Sequence, residues 1–154
     1  MKKLLESCDK NYVMLDVRAN SLEEAVPIMV DRLVEQKAIA KENSDLIVGE
    51  IRKREQLSTT AIGHSVAVPH VYLDTIANPT IAIARLEHGV NAGAPDGAPV
   101  QFIFLLLGPK TATTEHLDSL AAVARLMSDD EFHYLLMTAQ SSADVRAAIV
   151  SRID

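Results

Sequence analysis

Stretches with strand character alternate with stretches of helical periodicity along this chain, and the alternation predicts an α/β fold. The expected architecture is a single-domain sandwich over residues 1–154, its mostly buried sheet covered by helices on both faces. Three observations carry it. Tyr12-Val13-Met14-Leu15-Asp16-Val17 is β-branched and mostly apolar, and a capping-box helix follows. The run Val100 to Leu107 is apolar apart from Gln101, the pattern of a central strand buried on both faces. Gly and Pro punctuate the joints, and no internal repeat, low-complexity segment or linker interrupts the order.

After the first strand, Ser21-Leu22-Glu23-Glu24 forms a capping box with Ser21 as N-cap. Apolar residues at positions 22, 25, 26, 29, 30, 33 and 34 keep helical spacing to about Gln36. Pro27 lies too deep for the first turn and predicts a kink. A second helix is expected from Asp45 to about Arg54, with Leu46, Ile47 and Ile51 facing inward. Arg54 then sits at the negative end of the helix dipole, which suits a cation. Thr59 to His70 begins as a polar turn, becomes a β-branched run and stops at Pro69. Thr80 to Leu86 reads as a strand. Asn91 to Pro99 reads as a loop, because it holds two Gly, two Pro and the Asp96-Gly97 turn signal. Gly108-Pro109 ends the central strand. A third helix from about Thr114 to Met127 is expected to bury Leu117, Leu120, Ala121 and Ala124. Ser128-Asp129-Asp130-Glu131 reads as a capping box for a short helix ending near Ala139. Ser141 to Asp144 caps a last helix that buries Val145, Ala148 and Ile149.

Composition narrows the function. Hydrophobic content of 48% and a mean hydropathy of +0.10 favour a packed core over disorder. With three Tyr, three Phe and no Trp, aliphatic packing must dominate that core. A net charge of −6 and no sustained basic cluster weigh against nucleic acid, whose phosphates draw affinity from Lys and Arg. Cys8 is alone, so no intrachain disulfide forms, and a free thiol in a reducing compartment is expected. Glu6 and Asp9 come too early for a signal-peptide core, and the apolar run from Phe102 to Gly108 falls far short of a membrane span of ~20 residues. The protein is expected to be soluble and cytoplasmic, with no direct membrane insertion.

Pro69 fixes its own φ and pushes Val68 into an extended conformation, so the His70 imidazole is offered from a stiff strand end. A fixed nucleophile has little orientational freedom left to lose when it attacks a small electrophile. A strand that runs into a turn, with an idle histidine behind it, has the same spacing. Arg54 has two readings as well. It is a solvated charge within Arg52-Lys53-Arg54-Glu55, or a fork for two hydrogen bonds onto phosphoryl oxygens that Lys cannot copy. His116 falls in the first turn of the third helix, near Thr113 or Thr114 as cap. There the dipole disfavours the protonated ring while free N–H groups favour an anion. It also reads as a surface histidine. Ser58, Thr59 and Thr60 offer further donors, though turns are rich in such residues. His88 and His133 read as surface residues. His64 with His70 lacks the carboxylate or Cys that a metal site needs, no Gly-x-Ser-x-Gly elbow is present, and no nucleotide-binding phosphate loop exists.

From Arg54-Glu55 through Thr60, Ile62-Gly63 and Val66-Ala67-Val68-Pro69-His70, the chain resembles the phosphorylation-site signature of enzyme IIA of the bacterial phosphotransferase system. The resemblance is to the fructose/mannitol type, which includes the nitrogen-regulatory branch. It continues through Asp96-Gly97-Ala98-Pro99-Val100, Phe104 to Leu107, His116-Leu117 and Leu120-Ala121. It implies a mixed sheet and a phosphocarrier, a transferase component with a phosphohistidine intermediate. His70 would attack through Nε2 with Nδ1–H held by a backbone carbonyl. Arg54 and His116 would spread the charge, Thr60 would hold phosphate, and Thr59 and Ser58 remain open candidates. The implied donor is a histidine-containing phosphocarrier protein. The implied acceptor is a IIB component or a regulatory target, with no metal or organic cofactor. The absence of a fused IIB portion favours the regulatory branch over a sugar-specific subunit. Val71 and Tyr72 after His70, His64 in place of Asn, and Ser65 in place of Gly depart from the common pattern. A module that binds partners but no longer transfers phosphate therefore remains an alternative.

Overall fold

The computed structural model describes residues 7–152, and one six-stranded mixed sheet organises them. The strands are β1 (Val13–Val17), β2 (Ala61–Gly63), β3 (Val66–Ala67), β4 (His70–Tyr72), β5 (Thr80–Val90) and β6 (Val100–Gly108). Their order is β1-β5-β6-β3-β2, with β4 also paired to β6. β1 runs parallel to β5, and β3 and β4 run parallel to β6. The β5–β6 and β2–β3 pairs are antiparallel. The mixed α/β sandwich with a buried sheet is therefore the architecture found.

The helices are α1 (Leu22–Glu35), α2 (Ser44–Leu57), α3 (Thr113–Ser128), α4 (Asp130–Thr138) and α5 (Ser142–Val150). Side chains of β6 alternate between two cores, as strand geometry requires. Ile103, Leu105 and Leu107 pack with α1 and α2, whereas Phe102, Phe104 and Leu106 pack with α3, α4 and α5. All six are at most 1% exposed, which explains why the strand reads as a continuous apolar run.

Capping follows the sequence at two helices and departs from it at two. The Ser21 hydroxyl accepts from Glu24 N–H at 3.1 Å, and the Glu24 carboxylate accepts from Asn20 N–H at 2.6 Å. Ser141 and Asp144 repeat the arrangement at α5. At α4 the cap is Asp129 rather than Ser128, because a carboxylate one residue nearer accepts from both Glu131 and Phe132 N–H. At α3 the cap position is Ala112, without a side-chain acceptor, and Thr113 is already helical. α1 continues through Pro27 to Glu35. Leu46 is 47% exposed, contrary to its expected inward position. The Cys8 thiol is buried, and burial pushes its pKa up to about 12, so it stays protonated and inert.

One cation ties the helical layer to the sheet. Arg85 of β5, with 11% of its side chain exposed, places Nη1 3.0 Å from the Leu136 carbonyl and 2.6 Å from that of Ala139. Its Nη2 donates to Asp16 Oδ1 at 3.2 Å. A guanidinium there satisfies carbonyls that the last turn of α4 leaves open. Arg85→Ala is expected to lower the unfolding free energy by roughly 2–3 kcal/mol, with Arg85→Lys in between. Urea denaturation checks this, and a loss below about 0.5 kcal/mol would mean that water replaces the guanidinium without cost.

Candidate functional site

The His70 stretch does not end in a turn at Pro69, as its sequence suggests. It resumes as β4 on the same edge of β6. Ala67 faces Ile103 and His70 faces Leu106, so two residues lie between the pairs on both strands and the register holds across the gap. Pro69 has no N–H to give, but its carbonyl accepts from Leu106 N–H at 2.9 Å. His70 and Tyr72 therefore point to one side and Val71 to the other. Val71 is fully buried in the core formed with α1 and α2. It does not flank the site, so of the two departures after His70 only Tyr72 stands beside the imidazole.

His70 is partly exposed, and its Nδ1 lies 2.8 Å from the Val68 carbonyl oxygen. A carbonyl can only accept, so Nδ1 carries the proton and neutral His70 keeps the Nε2 lone pair for chemistry. The same site was expected to hold Arg54, Ser58, Thr59 and Thr60, and all four line one open cleft of about 730 Å³ with His70. A smaller apolar groove of about 150 Å³ between α1 and α2 contains no histidine.

Arg54 lies in the last turn of α2, exposed at the cleft. Its neighbours are engaged: Arg52 pairs with Glu23 at 3.1 Å and Lys53 with Glu50 at 3.5 Å. No carboxylate of the described residues lies within ion-pairing distance of Arg54. The Thr59 hydroxyl donates to the Ala92 carbonyl at 2.6 Å and accepts from Ala61 N–H at 3.1 Å. The Thr60 hydroxyl donates to Glu55 Oε1, and the Thr60 N–H is shared between both Glu55 oxygens. Both threonine protons thus shape the loop, while Ser58 is exposed at the end of α2.

His116 is placed differently. It is not a surface histidine, being 1% exposed, and it is not among the residues that line the cleft. It sits over Gly108, where a Cβ would come within 3.2 Å of His116 Cε1. The Tyr72 ring stands 5.1 Å from the His116 ring and 6.1 Å from the His70 ring, centroid to centroid. Burial raises the Tyr72 pKa, and the Arg54 charge works against that rise. Tyr72 thus joins the site by packing, a role that its position two residues after His70 on a strand could have signalled. His133 is half-buried against Phe102, edge to face at 5.4 Å, so it too is not a plain surface residue, whereas His88 is.

The cleft's second wall comes from α3, whose phase differs from expectation. Leu117 is 59% exposed, Ala121 and Ala124 line the cleft instead of filling the core, and Leu120 lines the cleft while packing only partly buried against the core. Ala122, Val123, Leu126 and Met127 are buried in their place, with His116 and Ser119. The third wall is the β2–β3 hairpin. His64 and Ser65 form its two-residue turn with φ of 53° and 61°, values that favour Asn and Gly. Asp96 Oδ2 accepts from His64 N–H at 3.0 Å and Oδ1 from Ala98 N–H at 3.1 Å, bonds that lower the Asp96 pKa.

Residues 6–151 match the family described as phosphoenolpyruvate-dependent sugar phosphotransferase system, EIIA 2. The chain belongs to that family. It is 33% identical over 115 residues to a nitrogen regulatory protein of Bradyrhizobium diazoefficiens, covering 75% of this chain and 73% of that one. To a fructose-specific EIIA component of Haloferax volcanii it is 26% identical, covering 86% and 84%. Nitrogen regulatory protein IIA-Ntr from Neisseria meningitidis superposes with a TM-score of 0.83 at 31% identity, covering 96% and 99%. IIA mannitol of Escherichia coli shares the fold at a TM-score of 0.74 and 20% identity, covering 91% and 96%.

Ser65→Gly removes one left-handed strain from this EIIA hairpin and is expected to raise stability by about 1 kcal/mol. A denaturation midpoint that is unchanged or lower would show that the hairpin tip is already relaxed.

Proposed function

We propose that this EIIA protein carries phosphate on Nε2 of His70. It would take the group from a histidine-phosphorylated carrier protein and pass it to a IIB component, or signal by its phosphorylation state to a regulatory target. The observation that carries the reading is the Nδ1 to Val68 carbonyl distance of 2.8 Å, which leaves Nε2 as the nucleophile. In the transfer, a bond forms between Nε2 and phosphorus while the donor's nitrogen–phosphorus bond breaks, and the freed electron pair returns to the donor ring. Nδ1 keeps its proton throughout. Such transfer is mostly positioning and charge stabilisation. Arg54 supplies the charge: it is exposed on the cleft and engaged by no carboxylate of the described residues. Thr60 and Thr59 shape the loop above His70, Ser58 offers a hydroxyl beside it, and His116 supports the site from beyond the Tyr72 ring. The cytoplasm is the compartment in which such carriers and an inert Cys8 thiol fit.

The nitrogen-regulatory branch is favoured over a sugar-specific subunit. Proteins named nitrogen regulatory match at 33%, 32% and 28% identity and fructose-specific components at 29% and 26%. The Neisseria IIA-Ntr structure superposes at a TM-score of 0.83 and 31% identity, against 0.74 and 20% for IIA mannitol.

Incubation with phosphorylated carrier protein tests the proposal. His70→Ala is expected to abolish acid-labile labelling, while His64→Ala, His88→Ala and His133→Ala retain it. Arg54→Ala is expected to slow transfer by about ten- to hundredfold, the loss of one charge-assisted hydrogen bond, and His116→Ala to slow it without moving the label. Label that persists on His70→Ala would remove the proposal, and a parent protein that no carrier labels would leave only a binding module.

A further inference from the structure

The hydrogen bond that fixes the His70 tautomer depends on a bond that is missing elsewhere. Thr60 faces Val68 just beyond the β2–β3 pairing, in which Ala61 faces Ala67. Val68 N–H donates to the Thr60 carbonyl at 3.0 Å. Regular antiparallel pairing would return a bond from Thr60 N–H to the Val68 carbonyl. That return bond is absent. Thr60 N–H turns instead to Glu55, 3.3 Å from Oε1 and 3.1 Å from Oε2, and the Thr60 hydroxyl donates to the same carboxylate. The Val68 carbonyl, on a residue only 5% exposed, accepts from His70 Nδ1.

We propose that Glu55 is the positioning residue that sets the His70 tautomer: it draws off the Thr60 N–H and so reserves the Val68 carbonyl for Nδ1. Glu55 touches neither His70 nor the phosphoryl group; it acts through Thr60 and Val68. The role accounts for the spacing of the segment. Glu55 lies in the last turn of α2, five residues before Thr60, and Val68 lies directly across the hairpin from Thr60. Without Glu55, Thr60 N–H swings onto the Val68 carbonyl and competes with Nδ1–H. His70 then populates the tautomer that carries its proton on Nε2, which has no lone pair for attack. The inference rests on the reading of Nε2 as the nucleophile only for its kinetic consequence.

Nitrogen NMR of ring-labelled histidine in the full-length, unphosphorylated protein tests the tautomer directly. The parent is expected to show His70 protonated at Nδ1. Glu55→Ala is expected to shift it to a mixture of both tautomers, and Glu55→Gln, which keeps an acceptor for Thr60 N–H, to restore the parent pattern. Transfer should fall about three- to tenfold in Glu55→Ala, the worth of one neutral hydrogen bond, and recover in Glu55→Gln. If Glu55→Ala does not fold, Glu55→Asp, one methylene too short to hold both Thr60 groups, takes its place. A pure Nδ1–H tautomer in Glu55→Ala or Glu55→Asp overturns the proposal. A Glu55→Gln protein with mixed tautomers also overturns it, since the charge and not the acceptor would then matter. Because the tautomer is read without phosphate, its outcome stands apart from whether His70 is the acceptor.

Discussion

The site depends on one backbone carbonyl. Val68 lies where the strand along the β6 edge is interrupted, and its oxygen holds the His70 ring by Nδ1. Three features of the fold protect that contact. β6 grips the chain on both sides of the interruption, through Phe102 and Ile103 before it and Leu106 to Gly108 after it. Pro69 removes a donor that would otherwise need a partner, yet its carbonyl stays on the β6 ladder. Val71 anchors β4 from the opposite face of the sheet. The imidazole is thus held by a rigid element, with little freedom left to lose in the proposed transfer.

Charge around the ring is divided between adjacent residues of α2. Arg54 faces the cleft with its guanidinium unclaimed by any described carboxylate, whereas Glu55 turns to the Thr60 backbone and hydroxyl. The pair therefore does not form a salt bridge with itself. A phosphoryl group, rich in acceptor oxygens and short of donors, fits the cationic half of this arrangement. The apolar wall of Leu120, Ala121 and Ala124 keeps that side of the cleft free of competing polar groups.

Much of this was legible in the sequence, for physical reasons. β6 announced itself because burial on both faces makes a strand uniformly apolar, and the Ser21 and Ser141 caps followed from short-range hydrogen bonding. The motif led to the expectation that His70 and Arg54 share one site, and both line the same cleft, while Cys8 followed as a free thiol from its solitude. β4 was not readable. A proline that ends a strand and one that only interrupts it look the same until the neighbouring strand is known. The phase of α3 was misread because that helix has two apolar stripes, and the core accepted the one that carries His116 and Ser119. Glu55 entered the sequence reading only as half of the Arg54-Glu55 motif, with no role of its own. Its partner lies five residues ahead, across a turn whose path the sequence does not state.

The proposed carrier holds its phosphoryl group on Nε2 of His70 and on no other atom. Long-range phosphorus–nitrogen and proton–nitrogen NMR correlations on the ring-labelled, phosphorylated protein measure this most directly. Phosphorus is expected to couple to Nε2 of His70, with Nδ1 still protonated. Phosphorus on Nδ1 of His70, or on His64 or His116, would contradict it.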